Sequence, residues 1–284
     1  MAMKVSASLI ISALAATTLL AACSGNGSKA VDGEEISNFE IREQLKSASK
    51  SYKLIYASGD TAYMTLTATV QWPVEFGKSD LIDLQDTIIS ALGTKSPYNI
   101  EQAMSAYVNN SDLMGMGADV KATAVDSIPA MTDEVNSYDI ETTVKVTELN
   151  EQTVTYQIYN YSFTGGAHPN WAYTPFTYDL AAGKVLTFDA LFKPGSDAAL
   201  RPLIEEALAN QLGVSSPAKL GNAGIFMDQM FVSHNVFISD GQIVFHYNPY
   251  DIGPYSLGQI DVPLAPFVIE KLLTPEAKKL LLSC

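Results

Sequence analysis

Between Thr153 and Phe188 the chain alternates, breaks and alternates again: TVTYQIYNYSFTGGAHPNWAYTPFTYDLAAGKVLTF. Val154, Tyr156 and Ile158 share one parity, and Thr155 and Gln157 the other, which is the period-two pattern of a strand. Gly165-Gly166 interrupt it, because glycine takes backbone angles that other residues resist. A second strand is expected from Phe176 to Leu180, and Ala182-Gly183-Lys184 turn it into a third. His168-Pro169-Asn170-Trp171 are expected at the tip between the first two. Pro169 stiffens that tip and biases His168 towards an extended backbone. The stretch reads either as a long hairpin with an ordered loop or as a recognition site carried on a rigid loop.

The rest of the chain repeats the mixture of strand and helix signals. Tyr52 to Tyr56 and Ala62 to Trp72 read as strands around the turn Ser58-Gly59-Asp60, with Pro73 expected to end the second. Leu81, Leu84, Ile88 and Leu92 form a helical stripe with Ser79 or Asp80 as N-cap and Gly93 as stop. Asn99 and Gln102 stand at capping-box spacing ahead of a second stripe: Ile100, Ala103, Met104, Tyr107 and Val108. Ser137 to Leu149 is a further strand. A third helix starts near Ser196 and stops at Gly213, with Pro202 expected in its first turn. Asp240-Gly241 is a two-residue hairpin signal that pairs Ile238 with Ile243, Val236 with Phe245 and His234 with Tyr247. Thr274-Pro275-Glu276 caps a last short helix. The class expected is α+β, with antiparallel sheets and helices packed on one side. Two lobes, residues 37–150 and 151–284, are expected to meet near Asn150.

The beginning of the chain reads as an export signal. Lys4 precedes the apolar, small-residue run Leu9 to Ala22, which is too short to span a bilayer. Leu20-Ala21-Ala22-Cys23 fits a bacterial lipobox, in which Cys23 is alkylated with diacylglycerol and becomes the new N-terminus. Residues 1–22 would be the signal peptide, and residues 23–36 the lipidated cysteine with a polar, flexible tether. The expected location is the cell envelope, facing outside the cytoplasm, and the outer membrane if the cell has two. Ser24 in place of an acid fits that placement.

The formal charge of the 284-residue chain is −14 at pH 7, and loss of the segment carrying Lys4 makes it one unit more negative. Such a balance argues against nucleic acid and favours neutral or basic partners; it is equally a route to solubility. With Cys23 lipidated, Cys284 is the remaining thiol, so no internal disulfide is available.

Sequence motifs for catalysis are sparse. No Gly-x-Ser-x-Gly elbow, phosphate-cradling loop or zinc-type histidine spacing occurs. Met114 and Met116 read as packing residues, and Glu205-Glu206 as a solvated helix face. In the hairpin register His246 lies opposite Asn235 and points away from His234. A metal site of His168, His246 and Asp251 would need loops to bring them together. No catalytic residue, metal or cofactor is assigned. Tyr250 and Tyr255, in the run Asn248 to Tyr255, could join Trp171 in an aromatic surface for a sugar ring or a protein, or pack beneath the loop.

The run Tyr161-Ser162-Phe163-Thr164-Gly165-Gly166-Ala167-His168 resembles the Gly-Gly-Ala-His signature of a bacterial envelope domain. That domain forms the exterior, lysozyme-binding part of the anti-sigma-V factor RsiV and precedes the catalytic domain of peptidoglycan deacetylase PdaC. The run Phe245 to Tyr255 resembles the same family's second signature, so the resemblance extends from Thr153 to about Leu273. The part before Glu151 resembles the usual N-terminal companion domain in pattern. One departure is Pro169, where the family commonly has glycine. With the lipobox, the expectation is a lipid-anchored envelope binding protein, and the resemblance implies a basic, lysozyme-like protein or a peptidoglycan glycan as its partner. Its candidate binding residues are Gly165, Gly166, His168, Trp171, Tyr250, Asp251 and Tyr255. The alternatives are an envelope hydrolase or deacetylase-like enzyme using His168 and Asp251, and a purely structural lipoprotein.

Overall fold

The computed structural model describes residues 41–94, 99–110, 119–129 and 136–282. Cys23, the leader and tether, Met114, Met116 and Cys284 lie outside them. Strands β1 (Ile41–Tyr56) and β2 (Thr61–Phe76) make a long antiparallel hairpin around Gly59, whose φ is 93°. Helices α1 (Ile82–Ala91) and α2 (Ile100–Asn109) follow, then β3 (Val120–Val125) and β4 (Asn136–Leu149). β5 (Thr153–Phe163), β6 (Asn170–Asp179) and β7 (Lys184–Val185) complete a seven-stranded sheet in the order β3-β1-β2-β4-β5-β6-β7.

The fold is α+β and dominated by antiparallel pairing, with one departure from the expected all-antiparallel sheets. β2 and β4 are parallel, from Ala62 opposite Asn136 to Val70 opposite Val144. A parallel neighbour needs a crossover, and α1 and α2 lie within it. Both helices cover one face of the sheet. Met64, Leu66, Ala68 and Val70, all 0% exposed, pack there with Leu84, Ile88, Met104 and Tyr107. Each of the Val, Leu, Ile and Met side chains among these contributes about 1.5–3 kcal/mol by burial. The capping box of α2 is formed, with Gln102 N–H donating to Asn99 Oδ1 at 2.8 Å and Asn99 N–H to Gln102 Oε1 at 3.1 Å.

Pro73 does not end β2, which runs on to Phe76 through a register shift opposite Arg42 and Glu43. The ladder to β4 stops at Val70, so the missing N–H of Pro73 is not needed on that side.

The C-terminal region builds a separate small sheet. α3 (Phe188–Leu191) and α4 (Asp197–Gln211) precede β8 (Val236–Ser239) and β9 (Gln242–Tyr247). β10 (Ile260–Leu264) then completes the order β10-β9-β8, and α5 (Pro275–Leu282) closes the chain. Asp240 and Gly241 have φ of 49° and 69°, so the turn is of the I′ kind and the expected pairs Val236–Phe245 and Ile238–Ile243 form. His234 does not extend that ladder. It lies before β8 and stacks on Phe188 at 3.8 Å. Pro202 is the sixth residue of α4, in its second turn rather than its first.

The large sheet runs through Asn150, since β4 and β5 on either side of it are hydrogen-bonded neighbours. The apolar cores instead divide between Leu180 and Phe188. The two parts are joined on the sheet face opposite α1 and α2. There Thr155 Oγ1 donates to the carbonyl of Ile238 at 2.8 Å, and Ile238 N–H donates to Thr177 Oγ1 at 2.7 Å. Thr155 is therefore buried although it stands on the polar parity of β5. Asp240 N–H reaches Glu148 Oε2 at 3.0 Å in the same junction.

Candidate functional site

Local sequence explains the geometry of the loop between β5 and β6. Gly165 and Gly166 both have positive φ, 85° and 99°, where a side chain would be strained. His168 is exposed, and its Nδ1 lies 2.9 Å from the carbonyl of Pro169. The same carbonyl accepts the hydroxyl of Tyr255 at 2.9 Å, and the ring of Tyr255 stacks on His168 at 4.0 Å. The two signature runs, far apart in sequence, thus meet at this loop.

Trp171 is not at the loop tip. β6 begins at Asn170, earlier than expected, and Trp171 pairs with Tyr161 of β5 while Tyr173 pairs with Tyr159. These four rings share the sheet face opposite the helices. Trp171 meets Tyr173 edge-on at 5.5 Å and Tyr255 at 6.2 Å. Tyr173 lies 4.9 Å from Tyr159, which lies 6.2 Å from Tyr161. Tyr250, 55% exposed at a φ of 73°, extends the run 5.7 Å from Tyr255. The result is a continuous, partly exposed aromatic surface. Partial burial raises the Tyr159 hydroxyl above its ordinary value, and Tyr173 and Glu141 beside it push the same way.

A partly buried polar relay holds this surface in place. Asn248 Nδ2 donates to the carbonyl of Tyr173 at 2.9 Å, and Tyr173 N–H donates to Asn248 Oδ1 at 2.7 Å. His246, 1% exposed, sits behind with Nδ1 2.6 Å from Asp261 Oδ1 and Nε2 3.3 Å from Asn248 Oδ1. Asp251 accepts the N–H of Asn248 at 2.7 Å and so shapes the loop. Both His246 nitrogens face protein oxygens, and Asp251 is engaged by backbone. The sequence-level grouping of His168, His246 and Asp251 is therefore not assembled. Among the described residues no three His, Cys, Asp or Glu side chains converge as metal ligands.

Of the candidates, Gly165, Gly166, His168, Trp171, Tyr250 and Tyr255 belong to the loop and aromatic surface, and Asp251 lies beneath it. The sequence does not single out Tyr159, Tyr161, Tyr173 or Asn248 as site residues, and it offers His246 only as a possible metal ligand. The alternation of Tyr159 with Tyr161 and of Trp171 with Tyr173 carried the signal for the rings. On the helix side of the same strands lies an open cleft of about 410 Å³ that Thr142 and Asn160 help to line. There Thr142 donates to Asn160 Oδ1 at 2.9 Å and the Tyr107 hydroxyl lies 3.1 Å from Thr142 Oγ1.

Comparison with known proteins follows the same division. The family model described as Deacetylase PdaC matches residues 34–171, and that described as Protein of unknown function (DUF3298) matches residues 189–265. The Gly-Gly-Ala-His run falls in the first match and the Phe245 to Tyr255 run in the second. Esterase Rv3036c of Mycobacterium tuberculosis (strain ATCC 25618 / H37Rv) is 33% identical over 103 residues, covering 35% of this chain and 44% of that protein. Immunogenic protein MPB64 of Mycobacterium bovis (strain ATCC BAA-935 / AF2122/97) is 27% identical over 140 residues, covering 44% of this chain and 60% of its own length. The chain thus spans about half the length of the curated relatives it matches. A DUF3298-family structure from Bacteroides fragilis NCTC 9343 superposes with a TM-score of 0.62 at 21% identity, covering 82% of this chain and 94% of that one. A DUF3298-family structure from Pseudomonas aeruginosa PAO1 does so at 0.55 and 15% identity, covering 85% and 98%. These two likenesses establish the shared fold.

Proposed function

We propose that this chain, which joins a PdaC-family region to a DUF3298-family region, is an exported cell-envelope binding protein, lipid-anchored through Cys23, that takes a peptidoglycan glycan on its aromatic surface. The observation carrying this reading is the continuous ring surface from Tyr250 through Tyr255 and Trp171 to Tyr161, built where the two signature runs meet. Pyranose rings present C–H faces to aromatic side chains and hydroxyls at their rims, and Trp and Tyr offer both kinds of contact. The family matches support envelope association. The arrangement of His246 and Asp251 favours ligand positioning over catalysis, because both are committed to holding Asn248.

A second reading, a basic lysozyme-like protein as partner, is favoured by the formal charge of −14. Acidic proteins steer basic partners and raise association rates in a salt-dependent way. One experiment separates the two. Residues 24–284 are mixed with purified insoluble peptidoglycan in a co-sedimentation assay and, separately, with lysozyme in a calorimeter. Co-sedimentation that resists moderate salt and is lost in Trp171→Ala is the expected outcome. Retention of the Trp171→Ala variant on peptidoglycan would remove the aromatic surface from the reading. A 1:1 complex with lysozyme, weakened by His168→Ala or Trp171→Ala and absent with peptidoglycan, would replace the first reading with the second.

A further inference from the structure

The sheet face beside the aromatic surface continues it in two aligned rows. One row, perpendicular to the strands, runs Ser47, Thr69, Thr143, Tyr159, Tyr173 across β1, β2, β4, β5 and β6. The next runs Ser49, Thr67, Glu141, Tyr161, Trp171 over the same strands. Each row starts in hydroxyls and ends in two aromatic rings. Five strands at about 4.8 Å spacing give each row a length of about 19 Å.

This face is free of the helices. The opposite parity of β1 meets α2, through Lys46 with Glu101 and Tyr52 with the carbonyl of Val108. Ser47 and Ser49 are exposed, and the remaining members of both rows are partly so. Ser49 and Thr67 hydroxyls bond each other at 3.0 Å, which spaces them as a flat pair. At the other end the floor meets a wall, where Tyr255 and the His168 loop stand beside Trp171. Neither row contains a cation, and Glu141 is the sole carboxylate in the ten positions. In a chain of charge −14 this is a nearly neutral strip. Such a strip suits a neutral ligand with many hydroxyls and exposed C–H faces better than it suits a basic protein.

We infer that the two rows form an extended subsite for a linear, neutral amino-sugar polymer lying across the strands, with its first rings on Trp171 and Tyr173 and later units over the Ser/Thr floor. The inference deepens the glycan reading and rests on it. Its specific consequence is a dependence on chain length that needs the hydroxyl floor as well as the rings.

The test uses the purified protein with chitobiose and chitohexaose in calorimetric titrations. Chitohexaose is expected to bind roughly tenfold tighter or better, the scale of one further interface anchor. Thr67→Val with Thr69→Val keeps β-branched shape and removes two hydroxyls, and should bring chitohexaose affinity down towards that of chitobiose. Thermal melting of the variant checks that it folds. Trp171→Ala should weaken both sugars. Equal affinity for the two sugars in the unsubstituted protein, or an unchanged chitohexaose affinity in the folded double variant, overturns the extended subsite. If Trp171→Ala still weakens chitobiose in that case, the glycan reading stands without the floor. No binding of either sugar overturns both, and lysozyme binding in its place would make the face a protein surface.

Discussion

His168 lies flat on the ring of Tyr255, 4.0 Å away at 19°, while the Tyr255 hydroxyl donates to the next residue's carbonyl, Pro169 O, at 2.9 Å. One side chain from the C-terminal region, Tyr255, thereby fixes two consecutive residues of the Gly-Gly-Ala-His loop. The loop's shape is decided by contact between distant segments as well as by its own glycines.

That contact can be divided by substitution. Tyr255→Phe keeps the stacked ring and removes the hydrogen bond, at an expected cost of about 0.5–1.5 kcal/mol. Tyr255→Ala removes both and should speed amide hydrogen exchange over residues 165–170 well beyond the Phe variant. Exchange in both variants equal to that of the unsubstituted protein would assign the loop's order to its glycines and Pro169 alone.

The junction between the two cores depends on a closed set of bonds. Ile238 donates to Thr177, the Thr155 and Thr177 hydroxyls bond at 2.8 Å, and Thr155 donates to Ile238 O. Thr155→Val leaves the Ile238 carbonyl without that donor in a buried place and should destabilise by about 1–3 kcal/mol. Urea unfolding of Thr155→Val, Thr177→Val and the double variant should show losses that are not additive, because the same bonds are broken. Additive losses would mean the hydroxyls act independently.

The hairpin turn offers a backbone test. Gly241 stands at a φ of 69° with open space where a Cβ would point, so strain is separable from clash. Gly241→Val should destabilise by about 1–2 kcal/mol through that strain alone. An unchanged denaturation midpoint would contradict the I′ geometry.

Two carboxylates should make opposite contributions with pH. Burial raises the Glu43 carboxyl above its ordinary value, partly offset by the hydroxyl that Tyr156 donates at 2.9 Å. A raised folded value favours the native state in acid and disfavours it as pH climbs through that value. Glu43→Gln should therefore raise the melting temperature at neutral pH, with the gain fading as pH falls through that raised value and gone by about pH 4. Glu101 is held below its ordinary value, chiefly by its bond from Lys46 at 2.7 Å. Glu101→Gln should lower stability slightly at neutral pH, and that loss should vanish as pH falls. Melting curves of both variants at several pH values check the two signs.

The anchor is tested apart from the fold. Cys23→Ala should abolish incorporation of labelled fatty acid and leave a precursor or a released form. Fatty-acid labelling and membrane partition that survive the substitution would remove the lipoprotein reading.

Local patterns were sufficient wherever a residue's partners lie close in sequence. The stripes of α1 and α2, the Asn99–Gln102 box and the Asp240-Gly241 turn depend on neighbours a few positions away, so periodicity and turn chemistry determined them. The alternation of Val154, Tyr156 and Ile158 likewise determined which side of β5 enters the core. Tertiary structure decided the rest. Alternation assigns Thr155 to a polar face, yet the second sheet settles on that face and buries it. Pro73 is tolerated in β2 because the β4 ladder has already stopped, and that depends on strand order rather than on local sequence. The aromatic surface could be seen only as separate tyrosines and a tryptophan until β5, β6 and the 248–255 loop were placed side by side. Its rings come from segments whose meeting is determined by which apolar faces must be buried together, a long-range condition that no local pattern carries.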